Sequence, residues 1–532
     1  MPVAEHELRK LEQKTEEMKI KPFLLLTLGA VFWLAGNRAV AQTSEDVLRF
    51  SRYNYGFGTA RSAAMGGAFS SLGADFSSTV INPAGLGMYR RSEAGLSMSV
   101  TSNAAQTTNA TDQGVYRTTM DKTKFTLNSG GIVFNAYNDD AVGLTNVTFG
   151  ITYNKLADFN NPYSVVGRSS GSMIDAFGIQ MNGSGIVPPA DNGPIRFTAD
   201  NSLYWGGILA YNTMLLNYDP EAKYAPEGLF PIDGAVFDSR YRSLTKGSVG
   251  QYDLSVGLSI SHVLYLGLGF GIQDISYREQ DYYEEAPLNN NAYGLNHFNY
   301  IQYLRQEATA WNFKFGAIVR PVGGLRIGAA IHTPTYVTVY EHYAADMYTY
   351  FNDYEPQQDG VQYGEPTRYD MRTPTRFIGG ISYTFGQTAI VSVDYERVWY
   401  NKMKMFWGEW EEEDVVISEE VAVLYKPANN VRVGVEAMVA PQFFARVGYA
   451  LYDSMYKGSE WKDYGKTMNY SCGLGYRSGS WSIDMAYIYM DGGKNLPRMV
   501  FNETADGLSY QSGVYEVKDT RHNFTLTAAI RF

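Results

Sequence analysis

Cysteine is almost absent from this sequence: Cys472 is the only one among 532 residues. An internal disulfide or a cysteine-based metal cluster needs at least two thiols, so both are excluded. The histidines show no metal-ligand spacing either. We therefore expect no metal ion and no other cofactor.

The sequence also lacks an excess of basic charge. Lys and Arg number 44 against 55 Asp and Glu, which gives a formal net charge of -11 at pH 7. Because phosphate binding requires a basic face, this balance argues against nucleic acid as a partner. Long apolar runs are missing as well, since no stretch after residue 41 is apolar enough to form a membrane-spanning helix.

Tyrosine, glycine and phenylalanine are plentiful, with 42, 53 and 27 residues, while only 19% of all residues are charged. Composition does not shift sharply after Glu93, which indicates one large body and not several soluble domains. This profile is typical of a membrane β-barrel, whose apolar residues are spread by alternation and never build a long hydropathy peak.

The N-terminal segment 1–41 has the features of an export leader. A basic start is followed by an apolar run from Phe23 to Ala35, which is too short to span a bilayer. Small residues follow this run, and the order predicts a signal peptide cleaved after Ala41. The charged residues before Met18 form an upstream extension, with Met18 the expected initiator.

Residues 42–92 form a segment of different character, which we call the hatch. Its central stretch from Thr59 to Arg91, TARSAAMGGAFSSLGADFSSTVINPAGLGMYRR, is rich in small residues and broken by glycine. Such a stretch is too weak to form a stable helix or strand alone, yet it is apolar enough to need surrounding protein. We therefore expect the hatch to lie inside a structure built by the strands that follow it.

Alternating apolar and polar residues begin at Glu93 and continue to Phe532. With the turn signals between them they predict about 14 strands, an even number as single-chain bacterial barrels require. Tight links alternate with long ones, as expected when short turns occupy one rim and long loops the other. The predicted strands are 93–102, 124–138, 142–155, 250–260, 264–278, 307–320, 324–343, 366–385, 388–401, 430–439, 442–453, 467–477, 480–491 and 521–532.

The last predicted strand indicates which side faces lipid. Phe524, Leu526 and Ile530 share one face, whereas Thr525 and Thr527 share the other. Earlier strands place arginine and glutamate on the polar side, which must be the lumen because ionised groups facing lipid would be costly. In a soluble β-sandwich the apolar faces would instead point inward, but the leader and the terminal aromatic residue favour a barrel. The expected fold is all-β, a transmembrane antiparallel β-barrel of about 14 strands. The barrel spans 93–532, with the hatch inside its lumen.

Three features together resemble one known family: the run GTARSAAMGGAF, the run INPAGLGMYR, and a barrel that ends in Phe532. They resemble the FadL/TodX family of outer-membrane transporters of hydrophobic compounds, in particular its Bacteroidetes branch. The resemblance implies a fourteen-stranded barrel in the outer membrane of a Gram-negative bacterium. It also implies passive transport of hydrophobic small molecules, such as long-chain fatty acids, without ATP or a TonB partner.

In that family the substrate is captured by outer loops, the hatch moves, and the substrate leaves sideways through an inward kink of the third strand. By resemblance, Asn82, Pro83, Ala84 and Gly85 match the hatch motif and are expected on the substrate path. Taken alone, these four residues are a turn signal. We expect them inside the barrel and close to the irregular part of the third strand.

That irregular part is visible in the alternation of the third predicted strand. Apolar residues up to Leu144 lie on one parity and those from Val147 onward lie on the other. A change of phase requires a bulge or a bend. Gly143, Leu144, Thr145 and Asn146 are therefore the candidate for the lateral opening, and an ordinary bulge at the barrel rim is the alternative.

Three glycines at period two, Gly267, Gly269 and Gly271, superficially suggest a nucleotide loop. They fall within a predicted strand that no helix follows, which argues against phosphate binding. We predict instead that they keep the inner wall smooth and roomy.

Three other function classes remain open: a general diffusion porin without a hatch, an outer-membrane enzyme, and a structural or adhesive surface barrel. No catalytic spacing is recognisable, so the chain is predicted not to be an enzyme. The expected partners are a hydrophobic ligand, outer-membrane lipid and the barrel-assembly machinery, with Phe532 as the assembly signal of the last strand. The protein is expected to be a monomer. The long stretch 157–249 has no predicted role.

Overall fold

The structure, a computed structural model, describes most of the chain from Thr43 onward. The leader predicted within 1–41 lies outside the described residues. The described ranges are 43–53, 56, 58–139, 142–198, 200–220, 223–226, 235–289, 294–362, 364–408, 410, 412–505 and 508–532.

Two ranges, Gln42–Arg196 and Tyr204–Phe532, form one compact unit, and Phe197–Leu203 lies outside it. All barrel strands and the described part of the hatch belong to this compact unit. The α-helices are α1 Ser44–Ser51, α2 Ala60–Ala64, α3 Ser78–Ile81, α4 Met173–Ser184, α5 Trp205–Asn212 and α6 Val415–Leu424, and the 3-10 helices are Pro83–Met88, Ser202–Tyr204, Tyr400–Lys402 and Ser459–Trp461.

The strands far outnumber these helices. They are β1 Glu93–Thr111, β2 Gly114–Asn138, β3 Leu144–Asp158, β4 Tyr163–Ser169, β5 Leu216–Asp219, β6 Lys223–Pro226, β7 Phe237–Ile260, β8 Leu264–Pro287, β9 Leu295–Val322, β10 Leu325–His332, β11 Tyr336–Phe351, β12 Gln357–Gln362, β13 Thr367–Arg372, β14 Arg376–Phe385, β15 Ala389–Val398, β16 Lys404–Trp407, β17 Glu412–Glu413, β18 Ala428–Ala440, β19 Phe443–Tyr452, β20 Thr467–Ser478, β21 Trp481–Lys494, β22 Arg498–Met499, β23 Asn502–Ala505, β24 Leu508–Gln511 and β25 Val514–Arg531.

These strands close into an antiparallel barrel of 14 strands, which confirms the predicted fold. The ring runs β1, β2, β3, β7, β8, β9, β10 with β11, β14 with β13, β15 with β16, β18, β19, β20, β21 and β25. Closure comes from β25, which pairs with β1 from Glu93 opposite Arg531 to Ala110 opposite Val514. A strand structure in lipid requires such closure, because an open sheet would leave backbone groups unpaired.

Side chains alternate between the two faces of this wall as the sequence predicts. In β25, Phe524 is 59% exposed and Ile530 55% exposed on the outer face, while Thr525 and Thr527 are buried on the inner face. An outer surface of this kind faces lipid, and the polar inner face lines the lumen. In the part of the chain that the structure describes, no helix is long and apolar enough to cross a bilayer.

Two long strands predicted to be continuous are each divided by a proline. The predicted strand 324–343 is interrupted at Pro334, between β10 and β11, and the predicted strand 366–385 at Pro374, between β13 and β14. Proline has no N–H to donate to the ladder, so pairing stops there. The two breaks lie side by side, because Thr373 N donates to Thr335 O at 3.0 Å.

Candidate functional site

The hatch is built from short helices, where the sequence predicts no stable element at all. In α2, the side chain of Thr59 accepts a hydrogen bond from Ser62 N and caps the first turn. Helices of four to eight residues are marginal in water, so tertiary burial must hold them. Burial is nearly complete here, since Met65, Phe69 and Leu86 are no more than 1% exposed.

Asn82 joins the hatch to the barrel wall. Its Oδ1 accepts a hydrogen bond from Ala84 N at 3.1 Å, which caps the 3-10 helix that begins at Pro83. Its Nδ2 donates to Ser70 O at 2.6 Å. The same amide lies 3.3 and 3.4 Å from the carbonyl oxygens of two neighbouring strands, β9 and β10. Asn82 therefore holds one loop of the hatch against the sheet backbone.

Glycines on the inner wall allow this close approach. A Cβ added at Gly267 would overlap the backbone of Pro83 and Ala84, and one added at Gly316 would overlap the side chain of Asn82. Because glycine has no side chain, the hatch backbone lies directly on the sheet. We call these inward glycines the hatch seat: Gly257, Gly267, Gly316, Gly328, Gly380, Gly434, Gly448 and Gly473.

Buried ion pairs join the hatch to the same wall. Arg61 of the hatch donates from both Nε and Nη2 to the carboxylate of Glu436, at 2.9 Å each. Arg446 donates to Glu436 at 2.6 Å and to Asp484 at 2.7 Å. These side chains are no more than 11% exposed. Breaking a buried ion pair is costly, so the pairs favour a hatch that stays in place.

Asp394 of β15 adds backbone contacts to this attachment. Its Oδ2 accepts hydrogen bonds from Phe69 N and Ser70 N, both at 2.8 Å, and its Oδ1 accepts from Ser70 Oγ at 2.7 Å. On another side of the barrel, Lys314 donates to Thr79 O at 3.1 Å. Polar groups of the hatch that lack intrahelical partners are thus satisfied by the wall.

The stretch Gly143–Asn146 lies at the rim that carries the short turns. The pairing of β3 with β7 shifts register between Leu144 and Asn146, and both Thr145 and Asn146 are buried on the inner side. This register shift therefore lies where the change of phase in the apolar alternation predicts a bulge or a bend. Asn146 Nδ2 also donates to Tyr89 O, at the end of the hatch.

The two predicted site segments contact different parts of the wall. Asn82–Ala84 packs against β8, β9 and β10, and among the described residues no hydrogen bond joins Asn82–Gly85 to Gly143–Asn146. The link between them is indirect and passes through Leu86, which packs on β3 at Gly150, and then Tyr89. Phe532 lies beyond β25, 66% exposed, with its N–H donating to Ser92 O at 3.0 Å.

A larger irregularity of the wall lies between β2 and β3, and the alternation of apolar and polar residues does not predict it. The pairing of these strands ends where Ser129 faces Asn154. Above this point β2 residues 114–128 pair with β1 alone, within the part of the chain that the structure describes. We call the place where β2 and β3 part the β2–β3 seam.

The chain turns into the lumen after β3. Asp158 Oδ1 accepts hydrogen bonds from Asn160 N at 2.9 Å and from Asn160 Nδ2 at 2.7 Å, and its other oxygen pairs with Lys155. Asn103 Nδ2 then donates to Asn160 O. The signal in the sequence was the turn-forming run Asn160-Asn161-Pro162.

Strand β4 continues inside the wall after this turn. It pairs with β7, and its carbonyl groups accept hydrogen bonds from inward side chains of β1. Thr107 Oγ1 donates to Ser164 O at 2.5 Å, and Asn109 Nδ2 donates to Val166 O at 3.1 Å. The third strand is therefore displaced inward from β2, which leaves the outer wall unpaired at the seam.

A cavity of about 270 Å³ lies in the lumen beside the turn. Ala157, Asp158 and Phe159 form its border at the seam. Its remaining lining mixes arginines, aromatic and methionine side chains with amides and carboxylates, and includes Arg49, Arg52, Tyr53, Arg376, Tyr452, Met455, Asn161, Asp453 and Asp519. Such a lining can contact both an apolar body and a negatively charged group.

Comparisons with solved structures agree with this architecture. A FadL homologue of Pseudomonas aeruginosa superposes with a TM-score of 0.50 and 14% identity, over 94% of this chain and all of that one. This chain has the FadL-type barrel fold. The toluene transporter TodX of P. putida gives a TM-score of 0.50 and 14% identity, over 90% of this chain and 99% of TodX. No protein-family model matches the chain, and no curated sequence does.

The FadL-type fold accounts for three features of the molecule. It places a lumenal hatch inside a closed antiparallel wall whose outer face is apolar. A closed wall with such an outer face lies in the outer membrane of Gram-negative bacteria, and its strands cross that membrane many times. In such barrels the short-turn rim faces the periplasm and the long loops face outward.

Proposed function

We propose that this protein carries hydrophobic small molecules passively across the outer membrane and releases them sideways through the β2–β3 seam. The observation that supports this most directly is the position of the seam. The wall loses its pairing at the same height at which the lumenal cavity borders on Ala157 and Asp158. Asp158, which lines that cavity, lies 3.9 Å from Lys124, in the stretch of β2 that has a single partner strand among the described residues.

The attachment of the hatch favours sideways release over release into the periplasm. The hatch seat and the buried pair of Arg61 and Glu436 close the lumen below the cavity. Moving the whole hatch would break these contacts together. In this proposal only α1 and the two residues after it, Arg52 and Tyr53, move. These are the parts of the hatch that border the cavity, since Arg49, Arg52 and Tyr53 line it directly.

The lining of the cavity favours a substrate with an apolar body and an anionic end. Arginines bind carboxylates well, while aromatic and methionine side chains contact an alkyl chain without directional demands. A long-chain fatty acid meets both requirements. TodX, which shares the barrel fold, transports toluene, so oleate and toluene are the two substrates to compare.

Filling the seam tests the proposed route. Ala157 is 5% exposed at the seam, and the substitution Ala157→Trp would fill the space between the cavity and β2. Ala528→Trp adds the same side chain on the lipid-facing side of β25 and serves as the matched control. We expect uptake of radiolabelled oleate to be lost in the first variant and retained in the second. Normal uptake by a folded Ala157→Trp barrel would rule out the seam.

Gly143–Asn146 remains a competing position for the opening. If the seam is the exit, replacing these four residues with a regularly alternating segment should leave uptake intact. If the bulge at the rim is the exit, the same replacement should abolish uptake. Swelling of liposomes by hydrophilic sugars provides a second measurement. A lumen closed by the hatch should exclude sugars, whereas a general diffusion porin would admit them.

A further inference from the structure

A cavity of about 480 Å³ lies under the hatch at the short-turn rim of the barrel. It is separate from the lumenal cavity at the seam and is lined by different residues. Hatch backbone forms part of its wall, at Gly73, Ala74 and Met88. Six arginines from distant segments also line it: Arg61, Arg90, Arg91, Arg326, Arg477 and Arg531.

The cavity has fewer acidic groups than arginines. Among the described residues Glu93 is its only lining carboxylate, and it pairs with Arg531 at 2.6 Å. Arg61 is paired with Glu436 in the wall above. Arg326 and Arg477 form no ion pair with any carboxylate in the part of the chain that the structure describes.

Arg477 is the arginine whose surroundings most favour a bound anion. Its Nε is buried without a hydrogen-bond partner among the described residues, and its guanidinium lies 4.7 Å from the ring centre of Phe444. The face of the aromatic ring attracts the guanidinium at this position. A buried donor left unpaired costs free energy, and an anion in the cavity would satisfy it.

We propose that this cavity is a binding site for a small multivalent anion of the phosphate or polycarboxylate class. Arginine presents two parallel donors that match the oxygens of these groups. The volume falls in the range of small-molecule sites. The bound anion offsets repulsion among the arginines and, because hatch backbone lines the cavity, holds the hatch against the wall.

The aqueous periplasm is the source of the anion. Arg477 lies on the inner parity of β20, whereas Leu474, on the opposite parity, is 57% exposed on the lipid-facing side. Arg326 likewise shares the inner face of β10 with Gly328 of the hatch seat. The arginines thus point away from the membrane, toward a cavity that opens at the end of the lumen.

Calorimetric titration of pyrophosphate into the purified full-length protein tests the site. We expect one saturable binding event that sodium chloride at equal ionic strength does not reproduce. The double variant Arg326→Gln with Arg477→Gln should weaken it by about tenfold or more, the equivalent of at least ~1.4 kcal/mol. Arg320→Gln is the matched control, because Arg320 lies near the end of β9 beside the adjacent turn, bonds Gly323 O and does not line the cavity.

Three outcomes would overturn the site or its source. Equal pyrophosphate affinity in the double variant and the parent protein would show that the arginines do not form a site. A heat of pyrophosphate titration equal to that of sodium chloride would show the same. Loss of pyrophosphate binding in nanodiscs that contain phosphatidylglycerol, but not in pure phosphatidylcholine, would replace the periplasmic source with a lipid headgroup. Oleate uptake is measured in parallel, and its loss or retention bears on the seam alone.

Discussion

Two regions of the barrel wall differ in structure. Strands β7–β10 and β18–β20 contact the hatch closely, whereas the β2–β3 seam is a place where two neighbouring strands separate. Along the first strands, glycines bring the hatch backbone onto the sheet, and buried charges fix it there. At the seam, β3 bends inward, β4 continues inside the wall, and β2 keeps a partner strand on one side only. The contrast separates the region that closes the lumen from the region through which we propose that solute leaves.

Two kinds of interaction account for this contrast. Contacts of the hatch seat are many and mostly backbone, so no single one can be lost without moving its neighbours. The turn at the seam depends on a few side chains, chiefly Asp158 and Asn160. If the two regions have separate roles, damage to the seat should cause leakage, and damage to the seam should stop uptake without leakage.

The largest effect is expected from Glu436→Gln in the seat. This change removes the charge that Arg61 and Arg446 share. Arg446 keeps its ion pair with Asp484, but Arg61 is left with one weaker acceptor. Loss of a buried partner charge costs about 3–5 kcal/mol, enough to release this part of the hatch. We expect a rise in single-channel conductance and in the entry of hydrophilic antibiotics.

Glu307→Gln is the control for that variant. Glu307 pairs with Arg305 on the surface, where both side chains are about half exposed. Exposed pairs contribute roughly 0–1 kcal/mol, so conductance should not change. An unchanged conductance in Glu436→Gln as well would show that charge does not hold the hatch.

The second effect concerns the seam. Asp158→Asn keeps an oxygen for Asn160 but removes the ion pair with Lys155, whose side chain is only 3% exposed. Loss of a buried partner charge costs about 3 kcal/mol, which should loosen the inward turn. We expect oleate uptake to fall several-fold while conductance stays at the parent level. Leakage in this variant would contradict the separation of the two regions.

Lys124→Gln provides the matched comparison. Lys124 lies 3.9 Å from Asp158 but is 37% exposed, so it contributes little to the turn. Uptake by this variant should remain near normal. A loss equal to that of Asp158→Asn would point to general charge at the seam, and not to the buried pair.

The sequence predicted the barrel well because alternation reports directly on a wall with lipid on one side. The parity of Phe524 and Thr525 correctly distinguishes the outer face from the inner one, and the strand count follows from the same signal. Beyond the membrane many strands extend further than predicted, as β7 does. There both faces meet water or other loops, and the apolar alternation that marks a strand fades.

The candidate site was less accessible to sequence reasoning. The glycines at period two around Gly267 are visible in the sequence, but their spacing does not predict that the hatch backbone packs on Gly267. Parity places glutamate on the lumenal side, and Glu436 does lie there, yet its partner Arg61 lies 375 residues away along the chain. The turn at Asp158–Asn161 is local and had a turn signal, but it opens a stretch without clear alternation.

A third prediction tests the glycine contacts of the seat with two positions on one strand. A Cβ from Gly267→Ala would overlap the backbone of Pro83 and Ala84. Overpacking of this kind costs about 1–3 kcal/mol and should displace the Asn82 loop. We expect a measurable rise in antibiotic entry, smaller than that of Glu436→Gln.

Gly269→Ala is the control on the same strand. There an added Cβ would lie 3.1 Å from Ser255 Oγ and 3.8 Å from Pro83 Cβ, distances that small side-chain shifts can absorb. This variant should exclude antibiotics as the parent protein does. Similar leakage from both variants would mean that loss of glycine in β8, and not contact with the hatch, causes the effect.

The smallest effect is expected from Asn146→Ala at the rim, and it compares the rim bulge with the seam. The change removes one donor to Tyr89 O, which keeps its 2.7 Å hydrogen bond from Asn135 Nδ2. It also removes the oxygen that accepts hydrogen bonds from Thr148 Oγ1 and Asn135 Nδ2. Each lost hydrogen bond amounts to about 1 kcal/mol, so amide exchange near Tyr89 should quicken. Oleate uptake should remain normal, because the wall at the seam is untouched. If uptake instead falls as far as it does in Asp158→Asn, the opening belongs at Gly143–Asn146, and the seam is a feature of the outer loops.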